Sequence, residues 1–76
     1  MQQTHVNESV SAEIRAEMGR QKLTQQELAR RLGWAPSQLS RRLSGITWLS
    51  TDDIDRIADA LGIPRHQLLS PRALAS

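Results

Sequence analysis

The sequence has no cysteine, no phenylalanine and no tyrosine, and it contains no apolar run long enough to span a membrane. Without cysteine, disulfides and cysteine-ligated metal sites are excluded. The two histidines, His5 and His66, lie far apart in the sequence, and neither has a ligand-like neighbour. No signal peptide is visible, so a cytoplasmic protein is expected. The 76 residues are enough for one domain, whose core must come from aliphatic side chains and two tryptophans.

The positive charge is concentrated in the middle of the chain. Residues 20–50 contain six Lys and Arg against one Glu, whereas residues 1–19 and 51–76 each contain more acidic than basic residues. A basic segment between acidic ones is typical of a polyanion-binding surface on a small domain. A merely solvated basic face is the alternative, and charge alone does not separate the two.

Apolar residues recur at helical spacing, and Ala, Leu, Arg, Gln and Glu are plentiful, which favours helices. We predict an all-α fold, a compact bundle of five short helices that contains a helix-turn-helix. The first helix is predicted to begin at Ser9, and Gly19 with the polar Arg20, Gln21 and Lys22 indicates its end. Residues 1–8 are predicted to be a disordered N-terminal segment, residues 9–69 the folded domain, and residues 70–76 a flexible C-terminal tail.

Capping residues and glycines predict the ends of the second and third helices. Thr24 and Glu27 have the capping-box spacing in front of the second helix, and Gly33 is well placed to end it. Pro36 suits the first position of the third helix, because proline there sacrifices no hydrogen bond. Ala35 before it is a weak capping residue, since it has no side-chain acceptor.

The fourth helix has the strongest pattern in the chain, with apolar residues at i, i+3, i+4 and i+7 from Ile54. Either Ser50 or Thr51 can cap it, and Pro64 opens a short fifth helix. Helices this short are unstable alone and must bury their apolar faces against one another. The expected core consists of Val10, Ile14, Met18, Leu23, Leu28, Ala29, Leu32, Trp34, Leu39, Leu43, Ile54, Ile57, Leu61, Ile63 and Leu68.

The second and third helices are separated by a turn of three to four residues that contains glycine, which is typical of a helix-turn-helix. Ala29 supplies the small side chain needed where the helices cross, and Trp34 and Leu39 are expected to fix the third helix on the second. The outer face of the third helix is then small, polar or basic, as a helix entering a DNA major groove requires. This face consists of Pro36, Ser37, Gln38, Ser40, Arg41 and Arg42.

Three segments in order, Gln25–Gly33, Ser37–Gly45 and Ile57–Ile63, resemble the Cro/CI (XRE-type) helix-turn-helix family, which includes phage repressors and many bacterial regulators. The resemblance covers roughly residues 10–69. It implies a lambda repressor-like domain and a sequence-specific double-stranded DNA-binding regulator. It favours a Cro/CI-like repressor of phage or bacterial origin, which reads the major groove with helix 36–44.

The resemblance also implies roles for individual residues. Gln25 matches a position that commonly contacts a phosphate, and Pro36, Ser37 and Arg41 match positions that commonly face base edges. Gln38 and Ser40 match positions near the DNA backbone or groove wall. The loop residues Thr47 and Trp48 match a segment that touches phosphates or lies near a dimer partner. From their place beside the first turn, Arg20 and Lys22 are candidates for nonspecific phosphate contacts.

The chain departs from the family pattern at two adjacent positions. Many members have an apolar residue at Arg42 and a glutamate at Leu43, so the ion pair that some make from that glutamate to the first helix cannot form. Arg42 either reaches a phosphate or lies against the fourth helix near its aspartates. Trp48 is either a dimer contact or packed within the chain, whereas Trp34 is expected in the core.

The preferred hypothesis is a DNA-binding repressor that acts as a homodimer on a roughly palindromic operator. The alternative is an antitoxin or another protein-interaction module built on the same fold. The sequence shows no nucleophile constellation, no glycine-rich phosphate loop and no metal-ligand cluster. We therefore expect neither enzymatic activity nor a cofactor.

Overall fold

The computed structural model describes the backbone of residues 2–69 and the side chains of residues 8–69. Within this range the chain forms five α-helices and no strand, which confirms the predicted all-α fold. No helix of the described residues is long and apolar enough to cross a membrane. The helices are α1 (Gln2–Gln21), α2 (Gln25–Leu32), α3 (Pro36–Leu43), α4 (Thr51–Leu61) and α5 (Arg65–Leu68).

The predicted start of the first helix is wrong, whereas its end lies within the predicted stretch 19–22. α1 begins at Gln2 rather than Ser9, so the structure places residues 2–8 in the helix instead of in a disordered segment. This stretch contains no glycine or proline that would interrupt a helix. At the other end α1 runs through Gly19 to Gln21. The predicted flexible tail, 70–76, lies outside the described residues.

The turn after α1 is closed by Lys22, which adopts a left-handed backbone conformation with φ 54°. Its N–H donates to the Gly19 carbonyl at 3.2 Å, and the N–H of Leu23 donates to the Met18 carbonyl at 2.9 Å. These bonds satisfy two carbonyls of the last helical turn. The helix therefore ends two residues after Gly19, and the turn that follows is closed by a lysine, a residue type that rarely takes this conformation.

The other predicted caps are confirmed. Thr24 and Glu27 form a complete capping box at α2, and Ser50, rather than Thr51, caps α4. Gly33 and Gly62 end α2 and α4 with φ values of 75° and 72°. Because glycine has no Cβ, it enters this conformation without steric penalty. The abrupt end at Gly33 lets the chain turn at once towards α3.

The core is one cluster of buried residues to which all five helices contribute. Most of the predicted core residues are buried, but Leu23, Leu32, Trp34 and Ile63 are only partly buried and pack at its edge. Leu49, which precedes α4, is buried although it was not expected in the core. The buried hydrophobic residues are Val10, Ile14, Met18, Leu28, Ala29, Leu39, Leu43, Leu49, Ile54, Ile57, Ala58, Leu61 and Leu68.

Candidate nucleic-acid interface

The α2–turn–α3 unit holds one face of α3 towards solvent. Leu39 and Leu43 are buried, with 0% and 2% of their surface exposed, and they anchor α3 on α2 and α4. Ala29 of α2 is fully buried, as expected for the small residue predicted where α2 and α3 cross. The opposite face consists of residues that are exposed along the length of the helix, namely Pro36, Ser37, Gln38, Ser40 and Arg41.

Arg41 has the freest cationic side chain on this face. It is exposed, and its guanidinium has no hydrogen bond or ion pair to any residue in the described part of the chain. Its backbone carbonyl accepts from the Thr47 N–H and from the Ser44 hydroxyl, both at 3.1 Å. The guanidinium therefore keeps all its donors available for a ligand.

The start of α3 is stabilised from within the helix. Pro36 occupies its first position, as predicted, and Ala35 precedes it as the capping residue. Alanine has no side-chain acceptor, so only half of a capping box is present there. The Gln38 side chain supplies that half by accepting the Ala35 N–H through Oε1 at 2.8 Å. From the sequence only the weak cap was predicted, although the three-residue spacing of Ala35 and Gln38 could have suggested this bond.

Arg42 lies against α4, which is the intramolecular one of its two predicted alternatives. Its Nε donates to Asp53 Oδ2 at 3.1 Å, and its Nη1 donates to the Gln38 carbonyl at 3.1 Å. The guanidinium carbon also sits 4.6 Å from the centre of the Trp34 ring. Trp34 is partly buried at the core edge, where it makes this cation–π contact. Because Arg42 is committed to these partners, it is a weaker candidate for DNA than Arg41.

Asp53 receives donors from two directions. Its Oδ2 accepts from the backbone N–H of Ser50 and from Arg42, both at 3.1 Å. Partial burial alone would raise the pKa of Asp53, but these hydrogen bonds and the nearby arginine charge lower it overall. The carboxylate thus caps α4 and fixes Arg42 at the same time.

The first helix reaches the end of α3 through one arginine side chain. Arg15 of α1 donates from Nη2 to the backbone carbonyl of Leu43 at 2.8 Å. A guanidinium at this point satisfies a carbonyl of the last turn of α3 and suits the negative end of its dipole. The Leu43 side chain itself is buried in the core. The sequence analysis missed this role of Arg15.

The remaining predicted phosphate contacts surround α2. Gln25 is exposed at the first position of α2, next to the Thr24 cap. Lys22 is exposed in the preceding turn and has no side-chain partner among residues 8–69. Arg20 is less available, because its guanidinium lies 2.8 Å from the Glu17 carboxylate. Gln25 and Lys22 therefore suit a ligand better than Arg20 does.

The loop between α3 and α4 exposes two large apolar side chains. Ile46 is 74% exposed and Trp48 is 50% exposed, whereas Thr47 between them is partly buried. Trp48 also borders a cavity of about 510 Å³ between α1 and this loop. The cavity is lined by Glu8, Ser11, Arg15, Leu43, Ser44, Gly45 and Trp48. The sequence did not single out Ile46, because single exposed apolar residues are common on protein surfaces.

A short α2, a tight glycine turn and an α3 with one exposed polar face define a helix-turn-helix protein. The comparison with known families agrees: a helix-turn-helix family model matches residues 14–68. The chain therefore belongs to the Cro/C1-type, or XRE, helix-turn-helix family, whose members are DNA-binding regulators. No match was found among curated proteins or among solved structures.

Proposed function

We propose that this protein is a sequence-specific transcriptional repressor of the Cro/CI kind that reads the major groove of double-stranded DNA with α3. The observation that carries the proposal is the exposed face of α3, on which the unengaged guanidinium of Arg41 stands among small polar side chains. A guanidinium fork matches the O6 and N7 acceptors of guanine in the major groove. Ser37, Gln38 and Ser40 lie on the same face, and Gln25 and Thr47 flank it as phosphate contacts.

The proposal extends to the cellular setting. A repressor works in the cytoplasm of a bacterial cell, whether the gene is bacterial or phage-borne.

No group of three or more His, Cys, Asp and Glu suited to a metal occurs in the described part of the chain. The repressor function requires no cofactor or catalysis.

Comparison of two arginines tests the DNA-binding face. Selection from random duplexes would first yield a preferred site. On that site, Arg41→Ala is expected to weaken binding by roughly 1–3 kcal/mol and to relax preference at one base pair. Arg65→Ala is the matched control, because Arg65 is exposed on α5 and pairs with Asp55 at 3.0 Å. Equal loss from both variants would refute reading by α3.

We also propose that two copies associate through the α3–α4 loop. Ile46 and Trp48 are exposed apolar residues directly after α3, so a two-fold contact there would hold two copies of α3 on the same side of a duplex. Helix-turn-helix dimers need half-sites about 34 Å apart, which makes a roughly palindromic operator the expected target.

Sedimentation measurements test this contact. Trp48→Ala is expected to weaken dimerisation, whereas Leu69→Ala, which also shortens an exposed apolar residue but at the end of α5, is expected to leave it unchanged. An unchanged sedimentation profile for Trp48→Ala would remove Trp48 from the interface.

The same exposed loop supports one alternative function, an antitoxin or other protein-interaction module. That function would be favoured if no duplex bound even at low salt.

A further inference from the structure

The cavity of about 510 Å³ between α1 and the α3–α4 loop has the volume of a small-molecule site, which typically encloses about 300–1,000 Å³. Its α1 wall consists of Glu8, Ser11 and Arg15, which are three and four residues apart and therefore share one face of the helix. The opposite wall consists of residues 43–45, at the end of α3, and Trp48. The exposed residues of α3 that face DNA in the proposed function do not line this cavity, so it is a separate place on the molecule.

Glu8 and Arg15 bring opposite charges to this cavity without pairing with each other. They are seven residues apart on α1, which corresponds to about 10 Å along the helix axis. The Glu8 carboxylate is exposed and has no hydrogen bond or ion pair to any side chain or backbone group of residues 8–69. Arg15 uses Nη2 for the Leu43 carbonyl at 2.8 Å, and its other N–H groups remain available, since a guanidinium carries several donors. Each residue can therefore take a ligand group of the opposite charge.

The wall opposite α1 offers an apolar surface and one defined acceptor. Trp48 is 50% exposed, so its indole ring gives a ligand a flat apolar surface on which to pack. The Ser44 hydroxyl donates its only proton to the Arg41 carbonyl at 3.1 Å. Its oxygen can therefore only accept a hydrogen bond from a ligand. The cavity thus combines two separate charges with an apolar wall between α3 and the loop, which is the usual make-up of a site for a small polar molecule.

We propose that this cavity binds a small zwitterion, whose ammonium group pairs with Glu8, whose carboxylate pairs with Arg15 and whose apolar body packs on Trp48. A ligand with a single charge would leave one of the two charged side chains without a partner, whereas a zwitterion engages both through charge-assisted hydrogen bonds. Because Glu8 and Arg15 are two helical turns apart, the two charges of the ligand are expected at its opposite ends. The site goes beyond the proposed DNA-binding function and does not depend on it.

Three probes of similar shape separate the two charges. 4-(Aminomethyl)benzoate carries an ammonium and a carboxylate at opposite ends of a flat ring, benzylamine carries only the ammonium, and 4-methylbenzoate carries only the carboxylate. Each is titrated into the nitrogen-15-labelled full chain, and binding is followed by NMR. 4-(Aminomethyl)benzoate is expected to shift the indole N–H of Trp48 and the amides of Ser44 and Gly45. It is also expected to bind about fivefold more tightly than either probe with one charge, which is the contribution of one partly exposed ion pair.

Variants assign each charge of the ligand to one residue. Glu8→Gln is expected to weaken binding of 4-(aminomethyl)benzoate and benzylamine without weakening that of 4-methylbenzoate. Asp59→Asn is the matched control, because it removes the same charge from α4, where Asp59 is exposed, does not line this cavity and has no side-chain partner in the described part of the chain. Arg15→Gln is expected to weaken binding of the two carboxylates and to spare benzylamine. Thermal unfolding checks that the variants are folded, and Glu8→Gln tests the site even if Arg15→Gln does not fold.

Three results would overturn this site. Equal affinity for the three probes, or no shift at residues 43–48 with millimolar 4-(aminomethyl)benzoate, would show that the cavity does not recognise the two charges. Equal weakening by Glu8→Gln and Asp59→Asn would show only a general effect of protein charge. Binding of the probe that weakens as the protein concentration rises would show that a second copy of the chain covers the cavity instead. DNA takes no part in these measurements, so each of these results leaves the proposed repressor function standing.

Discussion

Removing Arg42 is expected to destabilise the fold far more than removing a comparable surface arginine. Arg42→Ala deletes the ion pair to Asp53, the hydrogen bond to the Gln38 carbonyl and the cation–π contact with Trp34. The side chains of Arg42 and Asp53 are only 21% and 15% exposed, so water replaces these contacts poorly. A charged hydrogen bond contributes about 1.5–3 kcal/mol and a cation–π contact about 0.5–1 kcal/mol. Since such terms are not fully additive, the expected loss is about 2–3 kcal/mol.

Arg56→Ala is the matched control. Arg56 pairs with Asp52, the neighbour of Asp53, at the same 3.1 Å separation. The side chains of Arg56 and Asp52, however, are 60% and 74% exposed, and such a pair contributes at most about 0.5 kcal/mol. Urea unfolding of wild type and both variants, followed by circular dichroism, gives the free energies of unfolding. Equal losses for the two variants would refute the reasoning that burial makes the Arg42 contacts strong.

The same contacts predict a pH dependence. The pKa of Asp53 is lowered in the folded state by the Ser50 N–H and by Arg42, which outweigh partial burial. A carboxyl with a lowered folded pKa stabilises the fold above its unfolded pKa, which is about 3.9 for Asp, and that stabilisation is lost as pH falls through the folded pKa. The cost of Arg42→Ala is therefore expected to shrink in acid. A cost that grows as pH falls below about 4 would contradict this assignment.

Three further substitutions test the packing and the caps that position α3. Leu39→Ala, at a fully buried residue, is expected to cost about 2–5 kcal/mol in urea unfolding, and a cost below about 1 kcal/mol would show that α3 is not anchored there. Thr24→Ala is expected to cost about 1 kcal/mol through loss of the α2 cap, whereas Thr51→Ala, one residue beyond the α4 cap, serves as its nearly neutral control in the same assay. Gly33→Ala is expected to destabilise the fold by about 1 kcal/mol or more and so to lower the thermal midpoint. The cause is backbone strain alone, because an added Cβ would meet no atom within 4 Å. An unchanged midpoint would contradict the left-handed turn.

The sequence was most informative about the parts of the fold that local chemistry decides. Thr24 with Glu27, and the glycine at position 33, define helix ends through bonds within a few residues, so their spacing alone predicts them. The buried face of α3 followed in the same way from the spacing of Leu39 and Leu43. Local periodicity also placed Arg41 on the opposite, exposed face.

What the sequence did not predict depends on contacts between distant segments or on weak local signals. Arg15 reaches Leu43 across 28 positions, and only packing of α1 on α3 brings them together. The two alternatives for Arg42 differ only in whether α4 lies within reach, which the pattern of α3 does not reveal. The start of α1 was misplaced because the polar residues 2–8 show no apolar periodicity although they contain no helix breaker.

The central claim is that the exposed face of α3 binds duplex DNA. Its most direct test is the affinity for a selected duplex, measured by fluorescence polarisation over a range of salt concentrations. We expect tight binding at low salt. The logarithm of the association constant should fall linearly with the logarithm of the salt concentration, with a slope of about −0.9 for each phosphate contact. The account also predicts that Arg41→Ala weakens binding to this duplex far more than Arg65→Ala does. Absence of binding to any duplex at low salt would contradict the account.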